Sequence, residues 1–362
     1  VILILTFILS WPNAVQAQMV TSSFDTTIMG ENPASAATRV FGIATPFISY
    51  TQLDQEIKDS SGSEPYTWER SLQIQRYEAL YAGKKARFVP EIYVSQNFGN
   101  KVMKLSATNL DTENKVSMLN NHFNLGISYS DSIKIGIKFF QPTMAYKTDE
   151  RYVLPDATVR TYESDFTYTE MGFGGGVTFL ITKRFSIGGF YTNIAEKRKG
   201  NSRYQEGSNT PVLSSINSTS TIFQSGGGLA YQIGDSKSKG FRTELSYASM
   251  KFPYENSPKN NTLIRLTVEG SQFGYTGGVN VVQKEGNYID YRYFIDSIMA
   301  EEGSSRPVLS YGGFLGFKAK GGTSFSGFAS YSSGKGDISL FETEQPGKVT
   351  RLFVGFSYAY YF

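Results

Sequence analysis

The chain has 362 residues, 40% of them apolar and 15% aromatic, with 35 Lys and Arg against 32 Asp and Glu and no cysteine. A net charge of +3 carries no basic excess that would point to nucleic acid, and the lack of cysteine excludes a disulfide-stapled scaffold. Beyond the first ten residues no apolar run is long enough for a transmembrane helix, which excludes a helical membrane protein.

Val1 to Ser10 are apolar and uncharged, and Val15-Gln16-Ala17 supplies a small-residue cleavage site. Residues 1–17 are therefore expected to be a secretory signal peptide. No Met or basic stretch precedes them, so the sequence is expected to lack its natural first residues. Residues 18–38 are expected to form a periplasmic or lumenal plug segment, and 39–362 the β domain.

From about residue 100 onward, alternating segments are separated by turn residues. Phe123, Leu125, Ile127 and Tyr129 alternate with Asn124, Gly126, Ser128 and Ser130. A turn at Asp131-Ser132 follows, and Ile133, Ile135, Ile137 and Phe139 then alternate with Lys134, Gly136 and Lys138. A strand alternates faces with period 2, so each segment has one apolar and one more polar face. Nowhere is a 3.6-residue period sustained. Abundant Gly, Tyr and Phe, with mildly negative mean hydropathy, suit a transmembrane barrel whose strands face lipid on one side and a polar lumen on the other.

Strands are expected near 39–52, 86–98, 101–110, 115–130, 132–147, 162–181, 184–195, 217–233, 239–254, 260–270, 272–284, 307–318, 322–333 and 349–362. That count is even, as for single-chain bacterial barrels. Residues 70–83 also read as strand, and parity assigns them to a hairpin or strand extension above the membrane. Short connections at 130–132, 182–184, 234–236, 269–271 and 320–322 alternate with long polar loops near 146–163, 194–218, 253–261, 284–306 and 333–348. Short periplasmic turns and long external loops have this asymmetry. In the last strand Leu352, Val354, Phe356, Tyr358, Tyr360 and Phe362 share one face. A terminal Phe preceded by alternating aromatics resembles the C-terminal signal of outer-membrane barrels, which implies the barrel-assembly machinery as a partner.

Met29-Gly30-Glu31-Asn32-Pro33-Ala34-Ser35-Ala36-Ala37 stands just before the first strand. Phe88-Val89-Pro90-Glu91-Ile92-Tyr93-Val94 follows, with a turn expected at Asn97 to Asn100 and then Lys101 to Leu105. This arrangement resembles the FadL/TodX-type outer-membrane transporters for hydrophobic compounds, over roughly residues 25–140. The resemblance implies a fourteen-stranded barrel with the N-terminal segment in its lumen and Asn32, Pro33 and Ala34 as the plug motif. Substrate would enter from outside, pass a pocket and leave sideways through the wall; Pro90, which cannot donate a ladder hydrogen bond, is expected either to mark that wall opening or to bend its strand at a rim. The segment Gln18 to Thr38 is about half the expected plug length, which puts the gating mechanism in question rather than the fold.

His122 is the single histidine and has neither a Ser two positions on nor a Gly-x-Ser-x-Gly elbow anywhere to serve as nucleophile. No Cys or His cluster offers a metal site, and no cofactor is expected. Gly172-Phe173-Gly174-Gly175-Gly176 lacks the Lys-Ser/Thr of a phosphate loop. Its glycines are expected to allow a bend or close approach of the plug. Lys134, Lys138, Arg242, Glu244, Arg265 and Glu269 alternate with apolar residues, so they are expected to face the lumen, where charge is tolerated. Their ordinary role would be lumen lining with salt bridges; the alternative is a polar path or contacts to the plug. In the loop Asp290 to Met299, Phe294, Ile295, Ile298 and Met299 would share one face of a short helix. They are either an external capture groove for substrate or packing over the barrel mouth.

The function expected is passive, non-enzymatic transport of hydrophobic small molecules such as long-chain fatty acids across the bacterial outer membrane. Its partners would be outer-membrane lipids and the ligand, with no nucleic acid. The alternatives are a structural or secretion-associated barrel that binds proteins, and a general diffusion porin.

Overall fold

A computed structural model of the chain describes residues 32–34, 42–59, 66–82, 87–105, 111–153, 157–233, 240–253, 261–272, 275–286, 308–318, 323–340 and 343–361. The signal peptide, most of the 18–38 segment and the loop with Phe294, Ile295, Ile298 and Met299 lie outside these residues.

The described residues form strands β1 (Gly42–Asp59), β2 (Tyr66–Ala82), β3 (Phe88–Leu105), β4 (Asp111–Ser128), β5 (Ile133–Val153), β6 (Val159–Leu180), β7 (Phe185–Glu206), β8 (Val212–Ile233), β9 (Gly240–Lys251), β10 (Thr262–Gln272), β11 (Tyr275–Glu285), β12 (Val308–Lys318), β13 (Thr323–Leu340) and β14 (Thr343–Tyr361). Each pairs antiparallel with its neighbours in the chain. β14 also pairs with β1, from Gly42 opposite Tyr361 to Ile57 opposite Gly347. Among the described residues no helix is long and apolar enough to cross a membrane.

The first quarter of the chain differs from the sequence expectation. Residues 70–83 are not an accessory hairpin but fall largely in β2, a strand with partners on both sides. The turn expected at Asn97 to Asn100 is absent, and 86–98 and 101–110 merge largely into β3. Phe98 and Gly99 pair with Gln75 and Ile74 on one side and with Ser117 and Val116 on the other. Turn propensity at Asn and Gly is a local preference, and continuous ladders on both edges outweigh it. The turn expected at Glu269-Gly270-Ser271 is likewise displaced: all three lie within β10, with Glu269 opposite both Gly278 and Arg242.

β5 shows why these sequences make strands with two distinct faces. Gly136, Lys138, Phe140, Pro142 and Met144 are buried, while Ile135, Ile137 and Phe139 are exposed. The larger apolar surface therefore points away from the buried side. Phe173, Leu315 and Phe356 are 63%, 63% and 73% exposed, with Ile187, Leu229, Leu245, Ile264 and Leu352 in the same outward position on their strands. A single sheet with one buried face and no second layer must curl around that face.

The interior is packed by a recurrent device. Phe140, Phe166, Phe190 and Phe314 each stand directly opposite a glycine on the next strand: Gly172, Gly200, Gly226 and Gly278. A β-carbon at any of these glycines would collide with the facing ring. Each ring thus lies across a neighbouring strand instead of standing into the interior.

The wall is uneven in height. β5 to β8 have 21–22 residues, whereas β9 to β12 have 11–12. A tilted spanning strand needs about 9–11 residues. The short side is about one membrane thick, and the tall side continues beyond it with a mostly polar outward face, Leu213 of β8 being an exposed exception.

Candidate functional site

Asn32, Pro33 and Ala34 are buried against the inner face of β5, β6 and β7. The Asn32 amide donates from Nδ2 to the Val177 carbonyl at 2.9 Å and to Thr178 Oγ1 at 3.2 Å. Its Oδ1 accepts from the Ala34 backbone N–H at 3.0 Å, closing a local turn. One side chain thereby holds its own backbone and fastens it to the wall.

Glycine makes this approach possible. A β-carbon at Gly136 would fall on the Pro33 carbonyl and the Ala34 nitrogen, and one at Gly176 on Asn32 Oδ1. One at Gly188 would lie 2.9 Å from Asn32 Nδ2. Three adjacent strands thus leave a slot one side chain deep, and Asn32-Pro33-Ala34 fills it. The Gly172 to Gly176 run contributes Gly176 to this slot and Gly172 to the seat beneath Phe140.

Along the wall from the slot, toward the end with the taller strands, the interior becomes apolar. Phe140, Met144, Phe190, Ile194, Ile222, Ala248, Met250 and Leu263 form one buried cluster, with Tyr168, Phe252 and Val282 packed against it. Lys138 lies between slot and cluster, on the same face of β5 as Gly136 and Phe140. Its ammonium is 4.7 Å from the Phe190 ring centroid and 5.6 Å from that of Phe140. A cation over ring faces tolerates burial better than one among aliphatic groups.

The other charged residues share this inner face. Glu244, 1% exposed, accepts from Arg242 at 2.9 Å, and Arg242 reaches Glu269 at 3.5 Å. Arg265 is buried one strand away, opposite Ser246. Lys134 lies at the turn, where its Nζ donates to the Ser130 carbonyl at 2.9 Å. Higher on the tall wall, buried Glu196 accepts from Arg198 at 2.7 Å and from Ser220 Oγ at 2.9 Å, and Arg198 lies over the Tyr168 ring. The structure therefore brings Asn32, Pro33, Ala34 and Lys138 together and groups Arg242, Glu244 and Glu269 separately. Pro90 lies one residue beyond the last β2–β3 pair, Ala82 with Glu91, and opposite Leu125 of β4. Among the described residues no group of three or more His, Cys, Asp or Glu is placed to hold a metal.

The interior apolar cluster is the feature that sequence reasoning missed. Its signal was the apolar doublet: Phe139-Phe140, Phe190-Tyr191, Ile222-Phe223 and Leu263-Ile264 each place one large apolar residue on either face of a strand.

No protein-family model and no curated protein matches the sequence. Solved structures do. The chain is similar to a Pseudomonas aeruginosa FadL homologue, with 11% identity, 91% of this chain and 93% of the other covered, and a TM-score of 0.64. It is similar to the Pseudomonas putida toluene transporter TodX, with 9% identity, 91% and 92% covered, and a TM-score of 0.57. It is also similar to the Ralstonia pickettii toluene transporter TbuX, with 10% identity, 92% and 93% covered, and a TM-score of 0.52. At these identities the likeness is one of fold, and it agrees with the FadL/TodX-type fold expected from residues 25–140.

Proposed function

We propose that this chain, which has the FadL/TodX-type fold, is a closed fourteen-stranded outer-membrane barrel that passes hydrophobic small molecules without catalysis. Asn32-Pro33-Ala34 is its plug motif. The observation that carries the reading is the enclosed apolar cluster from Phe140 to Leu263 beside the glycine slot that holds those three residues. A diffusion porin needs a continuous wet lumen, and the buried apolar cluster of Phe, Met, Ile, Ala and Leu side chains interrupts the polar inner face.

Passage needs no energy source in this account. An apolar ligand leaves water for the Phe140–Phe190–Ile194 region and then moves into lipid, each buried CH₂ contributing roughly 0.8 kcal/mol. Lys138, beside the cluster, places a cation near one end of the path, which suits a long-chain fatty acid with its carboxylate. The toluene named for TodX and TbuX is the simplest alternative ligand class.

The test is binding of a fluorescent long-chain fatty acid to the purified, detergent-folded protein, with oleate and toluene as competitors. Saturable binding displaced by oleate is expected. A folded protein that binds neither compound contradicts the reading, and displacement by toluene alone assigns the path to aromatic hydrocarbons.

A further inference from the structure

The outward face of the tall wall carries a strip of charge that the transport reading does not use. Lys197 and Lys199 on β7 are exposed on the same side as Tyr191 and Ala195. Lys197 stands opposite Thr169 of β6 and Thr219 of β8, and Lys199 opposite Thr167 and Asn217. One row nearer the turns, Ala195 stands opposite Met171, which is 52% exposed and begins the apolar belt on β6. Residues two apart on a strand are separated by about 7 Å. The lysines therefore stand in the first two polar rows above the apolar surface.

Neither lysine forms a hydrogen bond or ion pair with a described residue. Their inward neighbours differ, since Glu196 and Arg198 neutralise one another at 2.7 Å. The next two rows carry both signs: Asp165 stands opposite Lys147, and Glu163 opposite Asp149 and Arg203. In the two rows bordering the belt, positive charge thus stands with no carboxylate facing it, flanked by hydroxyl and amide groups.

We propose that this strip binds the phosphates of a diphosphorylated glycolipid in the leaflet around the taller end of the wall. The proposal rests on the outer-membrane reading. Continuity with the apolar belt places the lysines at headgroup depth when the belt lies in acyl chains. Two lysines whose backbone positions lie about 7 Å apart along a strand, on long flexible side chains, can each engage one phosphate of a two-phosphate headgroup, and the flanking Thr and Asn side chains suit its sugar hydroxyls. A phospholipid with one phosphate engages one lysine at a time.

The experiment is native mass spectrometry of the folded protein titrated with diphosphorylated lipid A, monophosphorylated lipid A or phosphatidylglycerol. The wild type is expected to retain the diphosphorylated lipid most strongly. Lys197→Gln/Lys199→Gln is expected to lower that affinity roughly 10- to 30-fold. Lys251→Gln, an exposed lysine on the short wall, is expected to leave it unchanged. Equal affinity in wild type and double variant overturns the proposal, as does full displacement by excess inorganic phosphate, which would mark a free-phosphate site. Insertion into bilayers and fatty-acid binding are measured on the same samples. A protein that fails to insert contradicts the outer-membrane reading itself. One that inserts and binds fatty acid yet ignores the lysine substitutions contradicts the glycolipid site alone.

Discussion

Asn32 Nδ2 donates to the Val177 carbonyl across 145 positions of the chain, at 2.9 Å. Gly176 and Gly188 flank that bond, and neither has room for a side chain. The attachment of Asn32-Pro33-Ala34 thus depends on one amide and on missing side chains in the wall.

Replacing Gly176 with Val should expel the motif and leave the strands paired. The chain has no cysteine, so Ala34→Cys gives a single thiol to follow. In the otherwise native chain that thiol should react slowly with a maleimide, and with Gly176→Val it should react at least about tenfold faster. Asn32→Ala removes two donated bonds, worth about 1 kcal/mol each, and should give an intermediate rate. Equal rates in all three would contradict the slot.

Phe140 is fully buried over Gly172. Phe140→Ala should cost about 3–5 kcal/mol, from lost burial and the cavity left behind. The check is the urea midpoint of folding into bilayers. Phe139→Ala, on the outward face of the same strand, should cost less in the same measurement, because its ring position is solvated by acyl chains in either variant.

If the exposed apolar residues meet lipid, charge at their centre is penalised by depth. Phe173→Arg should destabilise the protein by about 2–4 kcal/mol in a bilayer, whereas Thr167→Arg, beyond the belt on the same strand, should cost about 0–1 kcal/mol. Equal costs at the two positions would contradict the placement of the membrane.

Tyr204, near the far end of β7, titrates above the ordinary tyrosine value. Burial raises it, the nearby Arg160 charge lowers it, and the hydrogen bond to Glu206 raises it again. The folded protein therefore holds this proton more tightly than the unfolded chain. The resulting stability is complete below about pH 10 and falls as pH rises through the raised value. Glu206→Gln removes the Glu206 charge and its carboxylate hydrogen bond, both raising causes, and should move the titration down, seen as phenolate absorbance after subtraction of a Tyr204→Phe control. An unchanged curve would contradict the Tyr204–Glu206 bond.

The hairpin from Phe123 to Phe139 was legible because its apolar residues keep one parity throughout. β2 read as strand over 70–83 but not as a strand of the wall, because its apolar residues change parity: Leu72 and Ile74 fall on even positions, Tyr77 and Tyr81 on odd ones. No single two-faced period-2 run exists there, and only pairing with β1 and β3 gives the strand its place in the wall. The glycines of β6 announced a close approach, but not which segment would approach. Asn32 lies 144 positions from Gly176, and register between distant segments leaves no local mark. The six charged residues could be assigned to one face by alternation alone, which also makes Arg242 and Glu244 neighbours on β9, whereas the approach of Glu269 to Arg242 follows from the register between β9 and β10.

The most direct test of transport through the apolar interior is uptake of radiolabelled oleate by bacterial cells deleted for their own fatty-acid transporter. Cells with the wild-type chain folded in the outer membrane should take up oleate well above the empty-vector rate. Cells with equal amounts of folded Ile194→Glu, which buries a carboxylate in the middle of the cluster, should fall back to that rate. Uptake at the empty-vector rate with folded wild-type protein, or undiminished uptake with Ile194→Glu, would contradict the account.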